Sequence, residues 1–117
     1  MQTGGSHAPA IPEITPKELK ARLDRKDPIV LLDVRELHEA AIADLPEIGQ
    51  LRIPMRELPA RVGELDPAAE LIIYCRSGAR SGRATLDLQA AGFARVFNLQ
   101  GGMLKWRQDV DPSVRAY

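Results

Sequence analysis

The chain has 117 residues, 44% of them hydrophobic, and its 16 basic side chains are balanced by 16 acidic ones. That is one domain's worth of sequence with material for a core, and its zero net charge excludes bulk electrostatic binding of nucleic acid or of an anionic membrane. A single cysteine, Cys75, and two scattered histidines, His7 and His38, exclude an internal disulfide, a dithiol redox pair and a metal cluster.

Residues 1–12 are small, polar and rich in Gly and Pro, so they read as a flexible tail or linker, leaving 13–117 as the domain. Thr15-Pro16-Lys17-Glu18 is a capping box with proline at the first helical position, which starts a helix running to about Arg25. Pro28 breaks the chain, and Ile29 to Leu32 form a continuous apolar run, the mark of a strand buried on both faces. A helical stretch from about Glu36 to Ala43, a loop at Pro46 and Gly49, and a short strand over Leu51–Ile53 follow. Met55, Leu58, Val62 and Leu65 recur at helical spacing, with Pro59 tolerable only in a first turn. Asp66-Pro67 is a turn, and Leu71 to Tyr74 is the second strong strand, ending at Cys75. A helix from about Ser81 to Ala91 stops at Gly92, Arg95–Leu99 is a strand, Gly101-Gly102 a turn, and Met103–Gln108 a last helix. No run approaches the ~18 apolar residues of a membrane span. The N-terminal residues lack a charged and apolar leader pattern, so the expected location is the cytoplasm.

Strands alternating with helices of this length predict an α/β domain whose mostly parallel sheet is covered on both faces. In such sheets the functional crevice lies at the carboxyl ends of the strands, where Asp33 and Cys75 both sit.

A lone cysteine in an apolar strand usually packs as a small hydrophobe. The residues after this one point elsewhere. Gly78 and Gly82 permit a tight loop ahead of a helix, and backbone N–H groups at such a junction converge on an anion. Arg76, Arg80 and Arg83 fall in a window, Leu71 to Leu86, that contains no acidic residue. Such electropositive surroundings favour the thiolate, so Cys75 is the candidate nucleophile of a site that takes an anionic substrate. The loop lacks the Gly-Lys-Ser/Thr ending of a nucleotide-binding loop. A Cys/His hydrolase would require an imidazole base, for which the sequence supplies only His38, without placing it beside Cys75.

Asp33-Val34-Arg35-Glu36-Leu37-His38-Glu39, Ile53-Pro54, Tyr74 through Ser81, Ala91-Gly92-Phe93 and Leu99 through Trp106 together resemble the rhodanese-like sulfurtransferases across about residues 13–110. The ending Asp109 to Ser113 is also similar to the rhodanese domain of adenylyltransferases that supply sulfur to ubiquitin-like carrier proteins. The resemblance implies a rhodanese-like α/β fold with a central, mostly parallel sheet of about five strands and helices on both faces. It implies that Cys75 accepts sulfane sulfur as a persulfide inside the amides of Arg76, Ser77, Gly78, Ala79 and Arg80. At Arg80 it implies the basic position that favours thiosulfate over mercaptopyruvate. Asp33 matches a scaffold position, Arg35 a candidate substrate contact, Ser81 the end of the loop, and Trp106 a structural position. The donor is then a small anion such as thiosulfate, or a persulfide. Without a second cysteine the acceptor is external: cyanide, a thiol or a sulfur-carrier protein. No metal or organic cofactor is called for. One stretch departs from the pattern. Ala43 to Gln50 stands where the family carries a Gly-His-Ile-Pro-Gly-Ala-like segment, and it has no histidine.

Two other readings compete. A cysteine-dependent phosphatase or arsenate reductase also uses a Cys and Arg anion loop, but with about five residues between them. Here four residues separate Cys75 from Arg80, and Ser81 holds the position of that arginine. A non-catalytic module that retains the fold has no use for an intact Cys75 and its arginines.

Overall fold

The apolar runs become the two central strands, β2 (Ile29–Asp33) and β4 (Glu70–Tyr74), paired in parallel from Ile29 opposite Glu70 to Asp33 opposite Tyr74. In the computed structural model, which describes residues 10–117, they are flanked by β3 (Leu51–Arg52) and by β5 (Val96–Leu99), and β1 (Glu13–Ile14) closes the far edge. The five strands stand in the order β1-β5-β4-β2-β3, and every neighbouring pair is parallel.

Strand alternation divides the core in two. Leu71, Ile73 and Cys75 face one side, where Leu58 of α3 (Leu58–Arg61) and Ala84 and Leu88 of α4 (Ala79–Ala90) pack on them. Ile72 and Tyr74 face the other, against Leu19 of α1 (Pro16–Asp24) and Met103 and Trp106 of α5 (Gly102–Asp109). The α/β fold with a parallel sheet between two helical layers is the one expected. α1 carries the expected capping box: Glu18 N–H donates to Thr15 Oγ1 at 3.1 Å, and Thr15 N–H to Glu18 Oε1 at 2.8 Å.

Several elements differ from expectation. The helix read over Glu36–Ala43 contracts to α2, Glu39–Ile42, because the chain turns first through Glu36–His38. The segment Met55–Leu65 is a 3₁₀ turn at Met55–Glu57, then α3, then a second 3₁₀ turn at Val62–Glu64. Pro59 does lie in the first turn of α3, where its missing N–H costs no hydrogen bond. Two-residue β1 carries no periodicity and goes unread in the sequence. Its pairing begins inside the expected tail, where the Pro12 carbonyl accepts from Asn98 N–H at 2.8 Å. Residues 1–9 of that tail, His7 among them, lie outside the described residues.

Candidate active site

β4 delivers Cys75 to the carboxyl end of the sheet with 1% of its surface exposed, and the chain turns at once through Arg76 and Ser77 into α4. Gly78 caps α4 in the left-handed region at φ +97°, and Gly82 N–H makes the helix's first bond, 2.9 Å to the Gly78 carbonyl. The N–H groups of Ala79, Arg80 and Ser81 therefore precede the first acceptor and aim toward the loop. Cys75 Sγ receives Gly78 N–H at 3.1 Å, Ser81 N–H at 3.4 Å and Ser81 Oγ at 3.2 Å. Arg76, Ser77 and Ala79 form the exposed rim.

The loop is held from behind by α5. Its first free N–H groups, Met103 and Leu104, donate to the carbonyls of Cys75 and Arg76, both at 3.0 Å, which fixes the peptide planes next to the sulfur. That approach requires glycine: a Cβ at Gly102 would lie 2.5 Å from the Cys75 carbonyl oxygen. A second support is Asn98 on β5, buried at 2% exposure. Its Oδ1 lies 2.5 Å from Ser81 Oγ, and its Nδ2 donates to the Gly78 carbonyl at 3.3 Å.

The expectation of a substrate contact at Arg35 is corrected. Its side chain is 0% exposed, and its donors are occupied by Asp33, the Ala43 carbonyl, Asp44 and Tyr117 Oη. It sits over the Tyr74 ring, 5.3 Å from guanidinium carbon to centroid, on the face of the sheet opposite Cys75. Asp33 ties this centre to β3 by accepting from Arg52 at 2.8 Å. The unusual Ala43–Gln50 stretch is anchored to the same centre through Asp44, which accepts from Arg35, Arg52 and Tyr74 Oη.

Residues from outside the acid-free window engage its three arginines. Arg80 gives both terminal nitrogens to Glu39 on α2, at 2.8 and 3.0 Å, and this pairing holds the Glu39 carboxyl down to about 2. Arg80 is correspondingly raised by its hydrogen bonds to Glu39. Arg76 donates to the Tyr117 carbonyl and stacks over that ring at 5.4 Å. Arg83 pairs with Asp87 at 3.1 Å. Among the described residues no group of three or more His, Cys, Asp or Glu side chains could hold a metal ion.

Comparison with known proteins agrees with this geometry. The family model for the rhodanese-like domain matches residues 15–109. The chain belongs to the rhodanese-like family. It is 37% identical to a sulfurtransferase of Allochromatium vinosum, over 87% of this chain and 94% of that protein. It is 38% identical to the maize adenylyltransferase and sulfurtransferase MOCS3-2, over 93% of this chain but 24% of that protein. The crystal structure of a rhodanese-like domain protein from Staphylococcus aureus superposes with a TM-score of 0.76 at 29% identity, covering 92% of this chain and 99% of that one. Sulfur transfer is the chemistry of this group.

Around the rhodanese loop the structure adds four residues that sequence reasoning did not single out for the site: Glu39, Asn98, Gly102 and Tyr117. Asn98 had a local signal, a polar side chain inside an apolar strand, and Gly102 had one in its Gly-Gly pair. Glu39 stood only as the last residue of the Asp33–Glu39 motif and Tyr117 had no signal, because they reach the loop from 41 residues away on either side.

Proposed function

We propose that this rhodanese-like domain moves sulfane sulfur in two steps through a persulfide on Cys75. The carrying observation is the set of donors from Gly78 and Ser81 on a buried Sγ at a strand end. The Cys75 thiolate attacks the outer sulfur of thiosulfate, the S–S bond breaks, and sulfite leaves with its electron pair. With a persulfide donor the leaving group is a thiolate. The bound sulfur then occupies the ring of N–H groups from Arg76 to Arg80, and each preorganised donor of this kind is worth roughly a hundredfold in rate.

Ser81 is suited to both states of the sulfur. Its single hydroxyl proton turns to Sγ when sulfur is charged and to Asn98 Oδ1 when the thiol carries its own proton. The second step needs an external nucleophile, since Cys75 is the only cysteine: cyanide in an assay, a small thiol or a sulfur-carrier protein in the cell. The reducing cytoplasm suits a lone thiol in such a cycle.

Intact-mass and peptide mass spectrometry after incubation with thiosulfate tests the reading. One added sulfur on the Cys75 peptide, and loss of transfer to cyanide in Cys75→Ser, are the expected results. An unmodified Cys75, or transfer that survives Cys75→Ser, would falsify it, and hydrolysis of an aryl phosphate would favour a phosphatase instead.

A further inference from the structure

Arg80 is the one basic side chain that the fold places at the end of the loop with its fork turned to an acid rather than to an open site. Glu39 takes both terminal nitrogens of Arg80, and its side chain is itself only 10% exposed. Its carboxylate is held in place by two further donors, Glu36 N–H at 2.9 Å to Oε2 and Tyr117 Oη at 3.1 Å to Oε1. Tyr117 Oη is fixed in turn by accepting from buried Arg35 at 2.8 Å, and the tyrosine ring lies under the Arg76 guanidinium. One tyrosine thus occupies Arg76 and secures the carboxylate that occupies Arg80. The two arginines nearest the nucleophile are both engaged in the resting molecule.

From this arrangement we infer that Glu39 is a specificity-determining residue and Tyr117 its positioning residue: together they offset Arg80 and set the charge of the sulfur donor the site accepts. The inference rests on the sulfurtransferase reading and deepens it. A donor with a charged leaving end, such as thiosulfate, meets a neutral Arg80–Glu39 pair and the nearby carboxylate. A donor whose only charge is on its outer sulfur, such as an alkyl persulfide, uses the N–H cradle alone and does not need Arg80. The transfer balances for either: Cys75–S⁻ with R–S–S⁻ gives Cys75–S–S⁻ and R–S⁻, and with thiosulfate it gives Cys75–S–S⁻ and sulfite. The site as built favours the alkyl persulfide relative to thiosulfate.

The test compares thiosulfate with methanethiosulfonate, which also expels a sulfur–oxygen anion but carries one charge fewer. In Glu39→Gln, KM for thiosulfate falls about tenfold while kcat changes less than twofold, the effect of freeing one charged hydrogen-bonding fork. KM for methanethiosulfonate moves less than threefold, so the ratio of the two kcat/KM values shifts toward thiosulfate. Tyr117→Phe, which keeps the ring on Arg76, shifts the ratio the same way by about threefold and carries the test should Glu39→Gln fold poorly. Asp87→Asn, which frees the outlying Arg83, leaves the ratio unchanged. An unshifted ratio in both Glu39→Gln and Tyr117→Phe overturns the inference, as does a fall in kcat alone or an equal change for both donors. Absence of persulfide on Cys75 with either donor would count against the sulfurtransferase reading, whereas persulfide with an unshifted ratio counts only against Glu39.

Discussion

Gly102→Ala is the sharpest perturbation of the loop that leaves the nucleophile and its donors chemically intact. The new Cβ would sit 2.5 Å from the Cys75 carbonyl oxygen and 2.6 Å from the Arg76 carbonyl carbon and oxygen, at a backbone φ of +59°. The left-handed conformation costs a residue with a Cβ about 1–2 kcal/mol. Relief of the contact pushes α5 away from the loop and weakens the Met103 and Leu104 hydrogen bonds, now 3.0 Å each, at ~0.5–1.5 kcal/mol apiece. The expected destabilisation is therefore about 2–5 kcal/mol, a large share of the ~5–15 kcal/mol typical of a domain. Gly92→Ala isolates the backbone contribution: φ there is +99°, but nothing lies within 4 Å of its Cβ, so about 1–2 kcal/mol is expected. Urea denaturation measures both, and the rate of sulfur loading on Cys75 in the folded fraction measures the site. Gly102→Ala should load at least tenfold more slowly, because small displacements of a reacting group carry large rate penalties, while Gly92→Ala loads normally. Equal destabilisation of the two variants with unaltered loading would refute the view that α5 sets the loop's geometry.

Two further outcomes follow from the same contacts. Ser81→Ala removes a hydroxyl between Cys75 Sγ and Asn98 Oδ1 in a fully buried position, so about 1–3 kcal/mol of stability and roughly tenfold in loading rate should be lost; normal loading would show that the backbone donors suffice. The Glu39 carboxyl, at about 2 in the fold against an ordinary value of 4.5, contributes stability that is fully present above about pH 4.5 and is lost as pH falls toward 2. The shift caps this contribution near ~3 kcal/mol, and solvent around the partly exposed Arg80 reduces it to about 1–2 kcal/mol. A thermal-denaturation series over that range should therefore fall less steeply for Glu39→Gln, and parallel slopes would contradict the assignment.

The sheet was legible because its central strands are buried on both faces and leave continuous apolar runs, and because Cys75 and Asp33 end them. The capping box at Thr15 and the position of Pro59 were legible for a similar reason: each rests on a local rule. Three kinds of feature were not. β1 is two residues long and gains its place only by pairing with Asn98 and Leu99. The Met55–Leu65 helix had the right spacing, but short 3₁₀ turns also repeat at nearly that period and win beside Pro59 and Gly63. Arg35 stands after a strand end, where a substrate contact is plausible, yet the residue alternation of β2 carries it to the face away from the sulfur. Only the fold reveals that its donors are spent on Asp33, Ala43, Asp44 and Tyr117.

The charge pattern was the most misleading of the readable features. Three arginines without an acid between Leu71 and Leu86 suggest a site held together by cationic side chains. Asp87, four residues beyond Arg83, was within reach of helical spacing, but Glu39 and Tyr117 come from distant parts of the chain. Once they are in place, the donors that reach Sγ are the N–H groups of Gly78 and Ser81 and the Ser81 hydroxyl. Those N–H groups are held in place by the close approach of Gly102, by Asn98 and by the α5 hydrogen bonds. Under the proposed function this cradle serves the Cys75 thiolate and its persulfide alike. Under the proposed function discrimination between donors falls to the side chains around that cradle, where the buried Glu39 carboxylate is set against Arg80, the loop's last arginine.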